Sequence, residues 1–321
     1  MIYEGGGDEA EDRPPHVRAA SGLSAFREYL AVIQDDANWL ALIDGDRRVR
    51  AIPLPPGPSG ARVFSKSRGN KDDKYDLEAC ITVPGEGGHE LIGLSSGSRE
   101  GREWILRVRE QVGAEPQDLE LDAEFLECRP LYDAFRANRD FCGAGLNIEG
   151  AVTIGDDRIM LFQRGDAEPD GELQPVDATA EISWPALCAH LADPGKVPPP
   201  PLHNIRRYDL GCLDGVRLTF SDAEHLGDGR ILYSASAEDA GDGADDGRIA
   251  GSVLGVLEAD GTARWTELFD EDGEAFGGKI EGLTRDLQDE TRIYFVIDDD
   301  DGSVPSEIFE ATISGDFLAP S

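Results

Sequence analysis

The feature that most constrains the fold is a unit of two short β-strand patterns around a Gly/Asp turn, which recurs five times along the chain. The clearest copy is NIEGAVTIGDDRIMLFQRG, residues 147–165. The copies open at Ser21, Glu78, Glu149, Ser221 and Glu281, with insertions of unequal length between them. A pattern that repeats at this scale is typical of a repeat architecture with variable loops.

Each unit continues with further strand patterns. Third strands are predicted at 39–43, 104–108, 179–183, 252–257 and 307–313. Fourth strands are predicted at 48–54, 125–131, 205–210 and 263–268. Four antiparallel strands per unit, repeated in order, are typical of the blades of a β-propeller. The sequence therefore predicts an all-β fold, a single five-bladed propeller domain over residues 16–321.

The fifth unit ends at residue 313 without a fourth strand. Residues 16–20 lie just before the first unit, where each other fourth strand lies before the next one. We therefore expect this N-terminal strand to complete the last blade, which would remove an exposed sheet edge. Residues 1–15, acidic and Gly-rich, are expected to form a flexible leader. The alternatives are a sixth blade within 100–147 or 165–203, and a two-domain β-protein.

The charge balance restricts the partners. The net charge is −35, from 65 acidic and 30 basic residues. Nucleic acids and anionic membranes are not expected as partners, because phosphate groups are bound by basic surfaces. An acidic surface with few lysines resembles that of halophilic proteins, whose self-repulsion is screened by a salt-rich cytoplasm. No signal peptide and no membrane-spanning apolar run occur, so a cytoplasmic location is expected.

Other local patterns are few. The cysteines show no CxxC spacing and are predicted to be buried free thiols: Cys80, Cys128, Cys142, Cys188 and Cys212. One helix is predicted at 183–191, where Ser and Pro stand at the start of an apolar segment. The Pro-rich stretch 197–201 is expected to be a stiff connector, and the acidic stretch 238–248 a solvated loop.

The repeat also predicts a site. In a propeller blade the first strand begins, and the second strand ends, on the same face of the disc. The opening residues would therefore surround the channel mouth with three carboxylates and two hydroxyls. Small residues follow four of these openings, namely Gly22, Ala79, Gly150 and Gly282. In the fourth unit the acidic residue, Asp222, stands one position after the opening Ser221. Adjacent residues of a strand point to opposite faces, so whether the Asp222 carboxylate joins the ring stays open.

Second strands should end on the same face, and they end in polar residues. These ends are 34–36, 95–99, 163–164, 238–239 and 298–299. Lys279 and the basic stretch 62–74, which holds three of the five lysines, lie near the openings of first strands. The sequence therefore predicts a pocket of mixed charge on an otherwise acidic surface.

Three interpretations of the ring remain open. The glutamates could pair with Arg99, Arg164 and Lys279 and only stabilise the propeller, because buried carboxylates need such partners. They could instead bind Ca²⁺, which takes six to eight oxygen ligands. In the third, Arg and Lys hold an anionic ligand while Glu supplies acid–base catalysis.

Several site classes are poorly supported. The five histidines are scattered without HxH or HxxxH spacing, which disfavours zinc. No histidine stands at a recognisable triad position for the serines of the Ser95–Arg99 region, which disfavours a serine hydrolase. The loop 238–248 lacks the order of an EF-hand loop.

The motifs resemble a known group of proteins. NIEGAVTIGDDRIMLFQRG, together with GLSSGSREGRE (93–103), LDGVRLTFSDAEHLGDGRILYSASAED (213–239) and KIEGLTRD (279–286), resembles an uncharacterised bacterial family similar to the phytase-like, or "esterase-like", β-propellers. The resemblance extends from about residue 16 to 313. It implies a propeller with a pocket on its top face.

The resemblance also implies site residues. The family's Glu-Gly openings fall on Glu149 and Glu281, its Glu-Ala opening on Glu78, and its Ser-Gly-Ser turn on 96–98. Phytase-type propellers use clustered acidic residues to bind Ca²⁺ and basic residues to hold phosphate. This chain has candidates for both roles, but no segment reproduces the phytase pattern.

We therefore expect a top-face pocket that performs Ca²⁺-assisted hydrolysis of a phosphate or carboxylic ester, on a small anionic molecule. The alternative is a non-enzymatic propeller that binds a small ligand or a protein. The candidate catalytic residues are Glu78, Glu149 and Glu281. The candidate metal ligands are Glu78, Glu149, Asp222, Glu281 and Asp298. The candidate ligand-binding residues are Ser21, Lys74, Ser96, Ser98, Arg99, Gln163, Arg164, Ser221 and Lys279.

Overall fold

The computed structural model describes residues 1–85, 88–110, 120–238, 249–286, 288–299 and 301–319. These residues form five antiparallel sheets in which the strands follow one another in chain order. Blade one contains β1 (Ala20–Phe26), β2 (Tyr29–Gln34), β3 (Trp39–Ile43) and β4 (Val49–Pro53). Blade two contains β5 (Leu77–Gly85), β6 (Gly88–Ser95), β7 (Trp104–Glu110) and β8 (Leu121–Glu127).

The remaining blades follow the same plan. Blade three contains β9 (Ile148–Ile154), β10 (Arg158–Gln163), β11 (Asp177–Ser183) and β12 (His203–Tyr208). Blade four contains β13 (Cys212–Leu213), β14 (Val216–Gly227), β15 (Arg230–Glu238), β16 (Ile249–Leu257) and β17 (Ala263–Glu267). Blade five contains β18 (Ile280–Arg285), β19 (Arg292–Ile297) and β20 (Glu307–Thr312).

The innermost strands form a closed ring. β1 packs against β5, β5 against β9, β9 against β14, β14 against β18, and β18 against β1 again. This order confirms the predicted five-bladed propeller. The described parts of 100–147 and 165–203 belong to blades two and three and to their helices, so they do not form a sixth blade.

The core lies between adjacent blades. Each of the five blade pairs shares its own cluster of buried apolar side chains. The middle strands are therefore covered on both faces, as the continuous buried run Leu40, Ala41 and Leu42 of β3 illustrates. Because each blade packs between two neighbouring blades, these middle strands do not alternate polar and apolar residues as a sheet with one solvated face does.

The N-terminal segment joins the last blade to the first, but not as a complete fourth strand. The main-chain N–H of Ser306, just before β20, donates to the Val17 carbonyl at 2.9 Å, and the Met1 ammonium donates to the Ser306 carbonyl at 2.5 Å. Blade five accordingly has three strands among the described residues. The predicted strand 16–20 instead enters blade one at Ala20, and Arg18 Nη1 donates to the Gly302 carbonyl at 2.6 Å, so the N-terminal segment bonds blade five at both Ser306 and Gly302.

Residues 1–15 also differ from the expected leader, because they pack against blade one. Tyr3 is 2% exposed, and its main-chain N–H donates to the Pro15 carbonyl at 3.0 Å. Its hydroxyl accepts a hydrogen bond from Gln34 Nε2 at 2.9 Å. The Asp12 carboxylate accepts the main-chain N–H groups of Arg62 and Val63. Although residues 1–15 are mostly acidic and Gly-rich, Tyr3 is buried and the Asp12 carboxylate binds the loop at 62–63.

Three α-helices of the described residues lie outside the sheets. α1 (Arg129–Ala137) and α2 (Arg139–Cys142) follow β8, and α3 (Trp184–Ala192) follows β11. The structure confirms the helix predicted at 183–191, with Ser183 Oγ accepting the Ala186 N–H as its N-cap. The strand predicted at 125–131 is wrong at its end, because Pro130 in the first helical turn starts α1 there. None of the described helices is long and apolar enough to span a membrane.

The cysteines form no disulfide among the described residues. Cys80, Cys128 and Cys142 are buried as predicted, whereas Cys188 is partly exposed and Cys212 is exposed. The prediction of buried thiols is therefore wrong for Cys212, which lies in the short edge strand β13. Residues 197–201 connect α3 to β12, and of the loop predicted at 238–248 only Glu238 lies within the described residues.

Candidate functional site

Each innermost strand contains a β-bulge at the same position. In β1, for example, Ala20 pairs with Gln34 and Gly22 pairs with Ile33, so the residue between them has no partner on β2. The five residues left out of the pairing are Ser21, Glu78, Glu149, Ser221 and Glu281. They are the five residues that open the sequence units. A bulge adds one residue to a strand and changes the direction of that residue's side chain. A carboxylate in an otherwise apolar strand can therefore point toward the channel.

Four of these five residues line one cavity. Its volume is about 140 Å³, and it opens at the mouth of the central channel. The polar residues lining it are Ser21, Asp35, Glu78, Glu149, Arg164, Lys279, Glu281 and Asp298. Carboxylates from blades one, two, three and five therefore converge with two cationic side chains. Ser221 is not among the lining residues, because its hydroxyl is buried against Ser236 Oγ at 2.8 Å.

The residue after each bulge faces the next blade. A Cβ atom at Gly282 would lie 2.6 Å from the Leu23 nitrogen, and one at Gly150 would lie 3.0 Å from the Asp222 Cα. Close approach of the innermost strands thus explains the small residues at these positions. Asp222 occupies the equivalent position in β14 and is 1% exposed. It is a poor metal ligand for this cavity, because it is absent from the lining and its Oδ2 accepts the Leu283 N–H at 2.7 Å.

One half of the site is a network of paired charges. Arg164 Nη1 lies 3.3 Å from Glu149 Oε1, and its Nη2 lies 2.7 Å from Glu238 Oε2. Lys279 Nζ lies 2.8 Å from Glu281 Oε1 and 3.3 Å from Glu238 Oε2. Burial raises the pKa of Glu149 to about 8 although Arg164 opposes the shift. Burial lowers the pKa of Lys279, but Glu281 and other carboxylates more than offset this and raise it above its ordinary value.

The other half has an excess of carboxylates. Lys74 Nζ, itself outside the cavity lining, lies 2.6 Å from Asp35 Oδ1 and 2.8 Å from Asp76 Oδ1. Arg102 also pairs with Asp76, at 2.6 Å. Glu78 makes no hydrogen bond or ion pair with any described residue. Burial, and then the charges of Asp35, Asp76 and Glu149, raise the pKa of Glu78 well above its ordinary value.

The donor set fits Ca²⁺ only in part. One oxygen from each of Asp35, Asp76 and Glu78 lies within 4.8 Å of the others, and carboxylate oxygens are the ligands that Ca²⁺ takes. However, the Lys74 ammonium already bridges Asp35 and Asp76. A divalent cation at this cluster would have to displace the buried Lys74 ammonium.

The other predicted residues do not reach the cavity. Ser96 Oγ donates to the Asp76 carboxylate and Ser98 bonds Ser96, so both lie one layer behind it. Arg99 is exposed and pairs with Asp72 at 2.9 Å. Gln163 is fully buried, with its Oε1 accepting the Asn147 N–H at 2.8 Å. These side chains position neighbouring loops.

Sequence reasoning missed several members of the site. Asp76 lies two residues before Glu78, and Asn147 two residues before Glu149, where Asn147 Nδ2 donates to Glu149 Oε1 at 2.7 Å. Both residues stand just before an innermost strand. A polar residue two positions before each bulged glutamate was therefore the signal that the sequence contained. Asp35 and Glu238 were visible only as ends of second strands.

The sequence comparison identifies a family. Residues 16–313 match the group described as "Family of unknown function (DUF6929)". The chain belongs to this family. A search of curated proteins returned no match. The matched range begins and ends within one residue of the resemblance seen in the repeats, whereas the finer likeness to phytase-like propellers is not confirmed.

Solved structures with similar folds are distant from this DUF6929 chain. A putative glycosidase from Bacteroides thetaiotaomicron has a TM-score of 0.45 at 9% identity, with 92% of this chain and 86% of that chain covered. A putative glycoside hydrolase from Parabacteroides distasonis has a TM-score of 0.44 at 8% identity, with 93% and 88% covered. A gluconolactonase from Xanthomonas campestris has a TM-score of 0.41 at 10% identity, with 88% and 85% covered. Similarities at this level assign no activity.

Proposed function

We propose that the protein is a hydrolase of small carboxylic esters and that the channel-mouth cavity is its active site. The observation that carries the proposal is Glu78. It is a bulged carboxyl that lines the cavity, has no partner among the described residues, and has a pKa well above its ordinary value. A carboxyl whose pKa is raised keeps its proton to higher pH than an ordinary glutamate and can act as a general acid.

The other side chains have complementary roles in this proposal. Arg164 and Lys279 lie at the cavity and polarise the carbonyl oxygen of the ester. Glu281 accepts a proton from water, whose oxygen forms the new bond to the carbonyl carbon. The bond from that carbon to the alcohol oxygen then breaks, and Glu78 gives its proton to the departing alkoxide. The products are a carboxylic acid and an alcohol.

The charges of the cavity favour a carboxylic ester over a phosphate ester. Its lining contains five carboxyl groups and two cations, and both cations already pair with carboxylates. A phosphate dianion would be repelled unless a metal ion were also bound. The volume of about 140 Å³ limits the substrate to a small molecule. Because almost all lining side chains are polar, the substrate should carry hydroxyl groups that bond to the carboxylates.

Acid release from a panel of small esters and lactones, followed by pH-stat titration, tests the proposal. Glu78→Gln should lower kcat/KM by about 100-fold or more, because it removes the acid. The control Glu127→Gln changes an exposed carboxylate at the end of β8 in the same blade and should leave kcat/KM unchanged. If Glu78→Gln is folded and remains active, Glu78 is not the acid. If the unaltered protein hydrolyses nothing, the propeller is a binding protein.

Chelation separates this mechanism from the Ca²⁺-assisted one. Because Lys74 occupies the acidic cluster, EDTA should change neither the activity nor the Tm. Loss of activity on chelation, with recovery on adding Ca²⁺, would instead support metal-assisted hydrolysis, and phosphate esters would then return as candidate substrates.

A further inference from the structure

Among the described residues, blade five lacks the strand that completes every other blade. β4, β8, β12 and β17 are the outermost strands of blades one to four, whereas blade five ends with β20, its third strand. No described strand pairs with the outer edge of β20. Its edge therefore lies one strand further inward than the edges of the neighbouring blades and presents main-chain groups that can pair with another strand.

A groove lies beside this edge. It has a volume of about 700 Å³ and runs between blades five and one, along Ile308 and Phe309 of β20. The turns of blade one that follow β1 and β3 form its other wall. Ile2, at its margin, is 59% exposed. The groove therefore combines an open sheet edge with exposed apolar surface.

The charged residues of the groove are mainly acidic. Five carboxylates and three arginines line it: Glu28, Asp44, Asp286, Glu307, Glu310, Arg27, Arg47 and Arg285. Two of the arginines are already paired, Arg47 with Glu310 at 3.0 Å and Arg27 with Glu110 at 3.1 Å. The Met1 ammonium also lines the groove, so five carboxylates face four cations, which leaves a small negative excess on a chain whose net charge is −35.

We propose that this groove binds an extended, basic segment of a partner protein, which pairs with β20 as the fourth strand of blade five. Main-chain hydrogen bonds to β20 supply the affinity, as in other cases of strand addition. Alternate side chains of the segment point to opposite faces, so that apolar residues enter the groove and Lys or Arg residues face the acidic rim. β20 has six residues, which sets the length of the paired segment.

A second copy of this chain is the less favourable occupant. Dimerisation through β20 would bring together two molecules that each carry a net charge of −35. The basic segment, in contrast, is attracted by the same charge.

Fluorescence anisotropy with a labelled six-residue peptide of alternating lysine and valine tests the proposal, because its length matches β20. Saturable binding is expected. An analogue that is N-methylated at alternate residues keeps its charge but loses main-chain donors, and it should bind at least about tenfold more weakly. Equal binding of the two peptides, or no binding of the first, would overturn the proposal.

Charge reversal at the rim provides a second test. Glu307→Lys combined with Glu310→Lys should weaken the lysine–valine peptide at least about tenfold and favour a glutamate–valine peptide instead. Asp122→Lys combined with Glu127→Lys, on the outer strand β8 of blade two, is the matched control and should leave binding unchanged. Sedimentation velocity tests whether a second copy of this chain occupies the groove. A dimer that dissociates when the peptide is added would show that β20 pairs with a second copy, and would contradict the proposal.

Discussion

At the scale of single residues, the site shows how one backbone position gives different chemistry in different blades. Glu149 and Glu281 each lie beside a cation, Arg164 and Lys279 respectively. Glu78 occupies the same bulge position in blade two but has no such partner among the described residues. Its neighbours Asp35 and Asp76 add negative charge instead. The reactivity assigned to Glu78 therefore arises from its surroundings and not from its backbone geometry.

The pKa of Glu149 predicts how stability depends on pH. In the fold Glu149 keeps its proton up to about pH 8, whereas the unfolded chain releases it near the ordinary value of 4.5. Between these values the folded state binds more protons, so this residue makes the free energy of unfolding fall as pH rises. Glu149→Gln removes that titration. The stability of the variant relative to the unaltered protein should therefore rise from about pH 4.5 to 8 and then level off.

Urea unfolding followed by tryptophan fluorescence across this pH range measures the difference. Glu172→Gln, in an exposed turn, is the control and should give a difference that does not depend on pH. A constant difference for Glu149→Gln as well would mean that Glu149 is ionised in the fold throughout, and that its pairing with Arg164 outweighs its burial.

The sequence predicted the bulged residues of the site better than their partners. Each bulge repeats a local pattern, so comparison of the units reveals it. Lys74, Asp76 and Arg102 come from loops that differ in length from blade to blade, and their meeting depends on tertiary packing. Ser221 shows the converse: it stands at the repeated position, but its hydroxyl bonds Ser236, which in turn bonds Ser252, and it does not line the cavity.

At the scale of elements, the strands were predictable because each pairs mainly with its neighbours in sequence. Helix α1 was missed because Phe125, Leu126 and Leu131 continue an apolar pattern across the end of β8. Pro130 and the spacing of Leu131, Tyr132 and Phe135 were the signals of the helix. These residues pack into the core between blades two and three, so tertiary contacts fix where the strand ends.

The close approach of the innermost strands gives a prediction for Gly282. A Cβ there would lie within 2.6 Å of the Leu23 nitrogen and 2.7 Å of the Gly22 carbonyl carbon, and main-chain atoms cannot move away as a flexible side chain can. Gly282→Ala should lower the free energy of unfolding by about 2 kcal/mol or more. Chemical denaturation measures this change.

Gly45 provides the matched control, because it lies in an exposed turn and a Cβ would meet nothing within 4 Å. Gly45→Ala should change stability little. Equal effects of the two substitutions would show that the innermost strands can separate, and that the small residues after the bulges are not required by packing.

At the scale of the whole molecule, Ser306 is one of the residues that join the N-terminal segment to blade five, together with Gly302. Ser306 Oγ accepts the Ala20 N–H at 3.1 Å and donates to the Arg18 carbonyl, and Ser306 is 3% exposed. Ser306→Ala leaves a buried N–H without a partner and should cost about 1–3 kcal/mol. It should also make residues 1–18 more sensitive to protease, since both ends of that segment are attached near Ser306.

Ser303→Ala is the control, because the Ser303 hydroxyl is exposed and bonds Asp301 in the same loop. Thermal unfolding and limited proteolysis of both variants measure the effect. If Ser306→Ala is no less stable than Ser303→Ala, the apolar contacts between blades five and one close the ring without this hydrogen bond. The sequence predicted that the N-terminus closes the ring, but the manner of closure depends on Met1, Val17 and Ser306, which follow no repeated pattern.

The repeated bulge has a consequence for how such a protein can acquire a new ligand. Because the bulged residue has no partner on the second strand, its identity does not affect the ladder of main-chain hydrogen bonds that holds the blade together. Four of the five positions, Ser21, Glu78, Glu149 and Glu281, line the cavity. Ser21 and Glu78 can change separately, whereas Glu149 and Glu281 would have to change together with the buried Arg164 and Lys279. Varying these four positions with the two cations would sample new pocket chemistries on the same blades, for natural divergence and for a designed library alike.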